Sequence, residues 1–172
     1  MSTLSAVLCR AESVSLTHNF NDMKNAGTLT WTGTPTDYTV GYTDLVTYTG
    51  GSGGTFSMDA SRICISLPSK NSTFITSPAV PSLSAVRFIH TKGASPTWIK
   101  IYVSFDGSEW TDVSSYASYS SSQIDLVLPE AGDYYIKILN NGTSSPAQPV
   151  NFLSYRYTYD PTPCNCFRYI AP

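Results

Sequence analysis

The sequence predicts an all-β chain folded as a two-sheet antiparallel sandwich. Three observations carry this expectation. Ile99, Ile101, Val103 and Phe105 alternate with Lys100, Tyr102, Ser104 and Asp106, and a period of two places an apolar row and a polar row on opposite faces of a strand. Roughly ten such short segments recur at spacings of about 8–15 residues between Gly, Pro and Asn turns, the pattern of a sandwich or barrel and not of a βαβ fold. No amphipathic helix of ordinary length is visible, and no internal repeat suggests a propeller or solenoid.

Taken in order, residues 11–20 (AESVSLTHNF) form an opening strand with Val14 and Leu16 on one face. Residues 27–31 (GTLTW) are a second strand, followed by a turn at 32–35. Residues 37–49 are dense in Thr, Val and Tyr, which fit a pleated, half-buried surface, and read as one bent strand or two joined near Gly41. The run 50–54 (GGSGG) is a surface loop; with no Lys and no following helix it is not a phosphate cradle. Residues 56–67 lead to a turn at 68–71. Residues 73–76 are a short strand that Pro78 and Pro81 end.

The strand at 83–91 offers Val86 and Phe88 to the core. After the alternating strand, Asp106-Gly107 supplies a turn, because Gly tolerates positive φ and an Asp side chain bonds nearby backbone. Trp110 then returns beneath that turn as a core residue. Residues 114–122 are a loop or one weak helical turn. Residues 123–128 and 132–139 are strands parted by a turn at 129–132, and Asn140-Asn141-Gly142 is another tight turn. Residues 150–159 are the last strand, ended by Asp160-Pro161.

At 172 residues the chain can bury a single core without staples, and one domain is expected over 1–172, with its core at 11–160 and a tail at 161–172. Charged residues are only 13%, about half the usual share. Solubility therefore rests on Ser, Thr, Asn and Tyr, as in secreted all-β modules and virion proteins. The net charge is −2 and no Lys/Arg cluster exists, which argues against nucleic acid as a partner. No apolar run approaches a transmembrane length, so no membrane insertion is expected. The start lacks a basic n-region and its apolar run is too short for a signal peptide. Two origins fit: a mature module carrying an added Met, or a product needing no export signal, such as a phage structural protein released by lysis.

Cys64, in RICISL, reads as a buried thiol. Cys164 and Cys166 look like half of a metal site, but zinc needs two more ligands and His18 and His90 are the only histidines. A disulfide from Cys9 to a tail cysteine is the stronger expectation, although four cysteines allow three pairings. An enzyme needs a nucleophile–base pair, paired carboxylates or a metal. His90 reads as a plain surface or edge residue, and Asp37, Asp44, Asp59, Asp106, Asp112 and Asp133 read as turn or cap formers. No catalysis is expected. The cofactor expectation is likewise none, apart from a structural Ca2+ that loop carboxylates and carbonyls could hold without any D-x-D-x-D run.

The hairpin Ser104-x-Asp106-Gly107-x-x-Trp110 resembles the S-x-D-G-x-x-W hairpin of galactose-binding-like jelly rolls, which include discoidin-type domains and several carbohydrate-binding modules. The segment order is also similar to that of sandwiches appended to bacterial surface proteins: RICISL, then Thr76-Ser77-Pro78, the strand at 85–91, the hairpin, and GDYYIKI at 132–138. The likeness spans residues 55–160 and implies a jelly-roll sandwich, a glycan partner and an extracellular or cell-surface location. Such modules often end on an acidic D-D/N-I strand; Phe152-Leu153-Ser154-Tyr155 stands there instead, so no calcium or ligand role carries over from that edge.

Sugar binding needs aromatic faces with hydroxyl, amide or carboxylate groups beside them. Trp31 and Trp98 lie near loop ends, and Tyr38, Tyr42, Tyr116 and Tyr119 lie in polar contexts; these six are the candidate carbohydrate-binding residues. Tyr155, Tyr157 and Tyr159 could form an exposed aromatic ladder, which would serve a glycan or a subunit interface equally. Two function classes stay open. One is a non-catalytic carbohydrate-binding or adhesion module. The other is a phage virion structural protein (capsid decoration, head-fibre or tail component) assembling as a homo-oligomer or with other virion proteins.

Overall fold

The computed structural model describes residues 13–20, 47–50, 55–59, 62–68, 71–91, 98–142 and 150–160. They form strands β1 (Val14–Asn19), β2 (Thr47–Gly50), β3 (Thr55–Asp59), β4 (Arg62–Leu67), β5 (Thr73–His90), β6 (Ile99–Ser104), β7 (Thr111–Asp112), β8 (Ala117–Tyr119), β9 (Gln123–Asn140) and β10 (Val150–Tyr159). A 3-10 turn at Ser114–Tyr116 joins β7 to β8. Every strand pairing is antiparallel. Among the described residues no helix is long and apolar enough to cross a membrane.

β5 and β9 are 18 residues each and pair with one another twice. Thr73–Thr76 runs against residues 136–139, residues 85–89 run against 123–127, and the register shifts repeatedly between. In a straight strand Phe74 and Phe88 would lie about 46 Å apart. Their ring centroids are 6.2 Å apart. Both long strands therefore fold back on themselves, and each contributes one arm to either sheet. The first sheet holds β2, the opening arm of β5, the closing arm of β9, β6 and β7. The second holds β8, the opening arm of β9, the closing arm of β5 and β10, with β1 and β4 beside β10 and β3 beyond β4. The chain is thus the two-sheet antiparallel sandwich that the alternation and the galactose-binding-like resemblance imply.

The core lies between the arms. Phe74 meets Phe152 at 5.5 Å, and Phe88 meets Phe152 at 5.7 Å, all three edge to face, the arrangement that aromatic quadrupoles favour. Ile99 and Ile101 of β6 and Ile136 and Ile138 of β9 are fully buried beside them. Two buried polar side chains tie the arms together: the Thr76 hydroxyl accepts from the Ile136 amide at 3.1 Å, and Asn140 Nδ2 donates to the Leu67 carbonyl at 3.0 Å. Asn140 Oδ1 also accepts from the Gly142 amide at 2.9 Å, which makes the expected tight turn.

Several expectations change. Pro78 and Pro81 do not end a strand; they fall in the bend of β5 where the ladder is already interrupted, so a missing N–H removes no ladder bond. Ser82 there has φ of 46°, and its amide donates to Asp133 Oδ1 at 2.8 Å, confirming Asp133 as a cap. Likewise 129–132 is the bend of β9 and not a turn between separate strands.

Tyr155 and Tyr157 are fully buried and are not an exposed ladder. A register shift between Phe152 and Ser154 moves the inward face of β10 from even to odd positions, as a bulge does. His90 is also buried, 6.2 Å from Phe152, and not a surface residue. β1 behaves as read, with His18 continuing inward on the face of Val14 and Leu16 and meeting Tyr157 at 5.3 Å. Cys64 is buried. Cys9, Cys164, Cys166, the strand at 27–31, the turn at 32–35 and residues 37–46 lie outside the described residues.

Phe74 is 2% exposed and bridges the two sheets. Phe74→Ala is expected to remove about 3–5 kcal/mol of unfolding free energy, read as a lowered urea midpoint at unchanged slope. A loss below about 1 kcal/mol would show that the sheets do not depend on this contact.

Candidate functional site

The hairpin after β6 is built by two side chains. Ser104 Oγ accepts from the amides of Asp106 (3.3 Å) and Gly107 (2.9 Å) and donates to Asp106 Oδ1 at 2.8 Å. Asp106 then accepts the Ser108 hydroxyl at 2.6 Å and the amides of Ser108 and Glu109 at 2.8 and 3.0 Å. Gly107, at φ of 76°, supplies the left-handed step. The Ser108 hydroxyl and these amides hold the Asp106 carboxyl well below the usual carboxylate range.

Asp112 anchors the other end. Its Oδ1 accepts from the Ser114 amide at 2.8 Å and its Oδ2 lies 3.6 Å from Lys100 Nζ. Partial burial pushes this carboxyl up, but Ser114 and Lys100 outweigh it and the net displacement is downward. Ser114 Oγ accepts from the Ile101 amide at 2.9 Å, which ties the 3-10 turn to β6.

Hairpin, 3-10 turn and the bend of β9 enclose an open cleft of about 550 Å3. Val103, Val113, Leu128 and Pro129 give it apolar surface, and Phe105, Tyr116 and Tyr134 give it aromatic faces. Phe105 is 70% exposed and Tyr116 52%. The Phe105 and Tyr134 rings lie 4.6 Å apart, tilted by 38°. Phe105 was expected inward with Ile99, Ile101 and Val103; the turn draws the Ser104 hydroxyl in instead and leaves Phe105 at the mouth. A Cβ at Gly132 would meet the Tyr134 ring at 2.7–3.1 Å, so glycine there lets the ring lie across the bend. Glu109 and Glu130 also line the cleft, are exposed, and make no side-chain hydrogen bond or ion pair with the described residues.

Of the six expected residues, Tyr116 lies in this cleft. Tyr119 is half-buried against the core, its hydroxyl donating to the Ile99 carbonyl at 3.3 Å, and burial raises its pKa. Trp98 is half-buried at the far end of β6, about 20 Å of extended chain from Ser104. Trp31, Tyr38 and Tyr42 lie outside the described residues. Trp110 is not a core residue: it is half-buried, with Lys137 Nζ 4.1 Å above its ring and 5.0 Å from the Tyr102 ring, a cation–π clamp. Burial lowers the Lys137 pKa. Phe105 and Tyr134 were missed; the available signal was position, one residue before the Asp106-Gly107 turn and two after Gly132. Among the described residues no group of three or more His, Cys, Asp or Glu side chains could hold a metal ion.

No protein-family model matches the chain, and no curated protein matches it by sequence. Among solved structures it is similar to a low-affinity xylan-binding module, CBM86, from the gut symbiont Roseburia intestinalis, at 10% identity and a TM-score of 0.44, over 66% of this chain and 95% of that one. It is also similar to the xylan-binding module CBM15, at 14% identity and a TM-score of 0.38, over 72% of this chain and 96% of that one.

Two outcomes follow from the site's construction. A carboxyl held down in the folded state stabilises above its unfolded pKa, near 3.9, and that contribution is lost as pH falls through the folded value. Asp106→Asn is therefore expected to be less stable than wild type at neutral pH, with the gap narrowing below about pH 4; a gap independent of pH in thermal melts would contradict it. Gly132→Ala is expected to push Tyr134 off Phe105 at a stability cost of about 1–2 kcal/mol. Unchanged ring-current shifts of the Phe105 protons by NMR would show the glycine to be dispensable.

Proposed function

We propose that the protein is a non-catalytic module that binds a neutral polysaccharide in the cleft between the β6–β7 hairpin and the bend of β9. The observation that carries this reading is the exposed Phe105 stacked on Tyr134, beside Tyr116 and two carboxylates that bond none of the described residues. Aromatic faces take the C–H side of a pyranose, and Glu109 and Glu130 accept from its hydroxyls. Their negative charge favours a hydroxyl-rich chain over an anionic one. A glycosidase acid must be pushed up to hold its proton; Asp106 and Asp112 are both displaced downward and occupied by the turn and by Lys100, so neither serves as such an acid. The reading needs no cofactor and suits a module working outside the cell or on its surface.

The test is a glycan array followed by affinity electrophoresis in gels of the neutral polysaccharides that score, xylan included. Phe105→Ala and Tyr116→Ala are each expected to weaken binding about tenfold, about 1.4 kcal/mol, with thermal unfolding unchanged. Binding that survives both substitutions would remove the cleft as the site. A stable oligomer by sedimentation equilibrium, together with a blank array, would favour the virion-component alternative.

A further inference from the structure

The outer face of the second sheet carries an arrangement that the cleft does not use. Register places Thr17, Arg156, Arg87, Asp125 and Ser118 directly opposite one another across five strands, β1, β10, β5, β9 and β8. Arg156 and Arg87 are both exposed and face each other across the β10–β5 ladder. Like charges directly opposite destabilise a sheet, so two arginines here oppose folding and call for another explanation.

Asp125 answers half of it. Its Oδ1 accepts from Arg87 Nε at 2.5 Å, and its Oδ2 accepts from the Gln123 amide. Both carboxylate oxygens are thereby used, while the terminal nitrogens of Arg87 and the whole Arg156 guanidinium bond none of the described residues. The row keeps one positive charge in excess. Beside it runs a shallow groove of about 270 Å3, edged by Ala85, Thr158 and the 65%-exposed Val127. Five strands at about 4.8 Å spacing make the row ~19 Å long, with hydroxyls at both ends. That length suits an extended chain more than a single small anion.

We propose that Arg87 and Arg156 form a second binding site, on the sheet face away from the cleft hairpin, for the carboxylate groups of an acidic polysaccharide. Each guanidinium is a planar fork matched to a carboxylate, and the flanking Thr17 and Ser118 hydroxyls meet the sugar hydroxyls. A bound carboxylate between the two forks relieves the repulsion between the opposed arginines. The site stands apart from the neutral-glycan reading and does not depend on it.

The test is affinity electrophoresis of the full chain at low salt in gels containing polygalacturonate, its fully methyl-esterified form, or dextran sulfate. Wild type is expected to be retarded by polygalacturonate and not by the ester. Arg156→Gln should lose at least tenfold in retardation yet melt at a higher temperature, because one of the opposed charges is gone. Arg156→Lys should fall between, and Asp125→Asn should bind more strongly. Phe105→Ala, at the cleft, should leave this retardation unchanged. No retardation of wild type, equal retardation by the ester or by dextran sulfate, or indifference to Arg156→Gln would each overturn the assignment.

Discussion

β5 and β9 are paired along both of their arms, so neither can bend unless the other bends at the same height. That shared fold-back is the constraint from which the rest of the sandwich follows. It brings Phe74 onto Phe88 and Phe152 and closes the core. It also decides which residues occur at the corner: prolines where ladder bonds are already absent, Ser82 at positive φ held by Asp133, and Gly132 beneath the Tyr134 ring. The cleft is a product of the same corner, because Leu128, Pro129, Glu130 and Tyr134 all belong to the bend of β9.

Carboxylates around the cleft divide into two kinds. Asp106 and Asp112 are occupied by backbone amides, hydroxyls and Lys100, so their charge is spent on geometry. The Glu109 and Glu130 carboxylates bond none of the described residues and line the cleft. On the opposed sheet Asp125 accepts from Arg87 and Gln123, and the row of Arg87, Arg156 and Asp125 keeps one positive charge in excess.

The fold was largely legible because strand alternation is set by a local rule. Ile99, Ile101 and Val103 are buried as their period requires, and Val150–Tyr159 is a strand with the expected limits. Legibility failed where a single residue shifts the phase. The irregularity between Phe152 and Ser154 turns Tyr155 and Tyr157 inward, and nothing in VNFLSYRYTY announces it. Phe105 was misassigned for a related reason, since the alternation stops where Ser104 begins the turn. Trp110 was assigned inward from its closeness to the hairpin, whereas Lys137, distant in sequence, holds it on the outer surface. Tyr116 lines the cleft with Phe105 and Tyr134, and the latter two come together only through the bend.

The turn at Asp106-Gly107 has a consequence for how such a module can diverge. Its hydrogen bonds draw on the side chains of Ser104, Asp106 and Ser108 and on backbone amides, and on nothing from the side chains of Phe105 or Glu109. Those two positions are therefore open to substitution without rebuilding the loop that presents them. Change at the hairpin mouth can therefore proceed while the residues that make the hairpin stay under structural constraint.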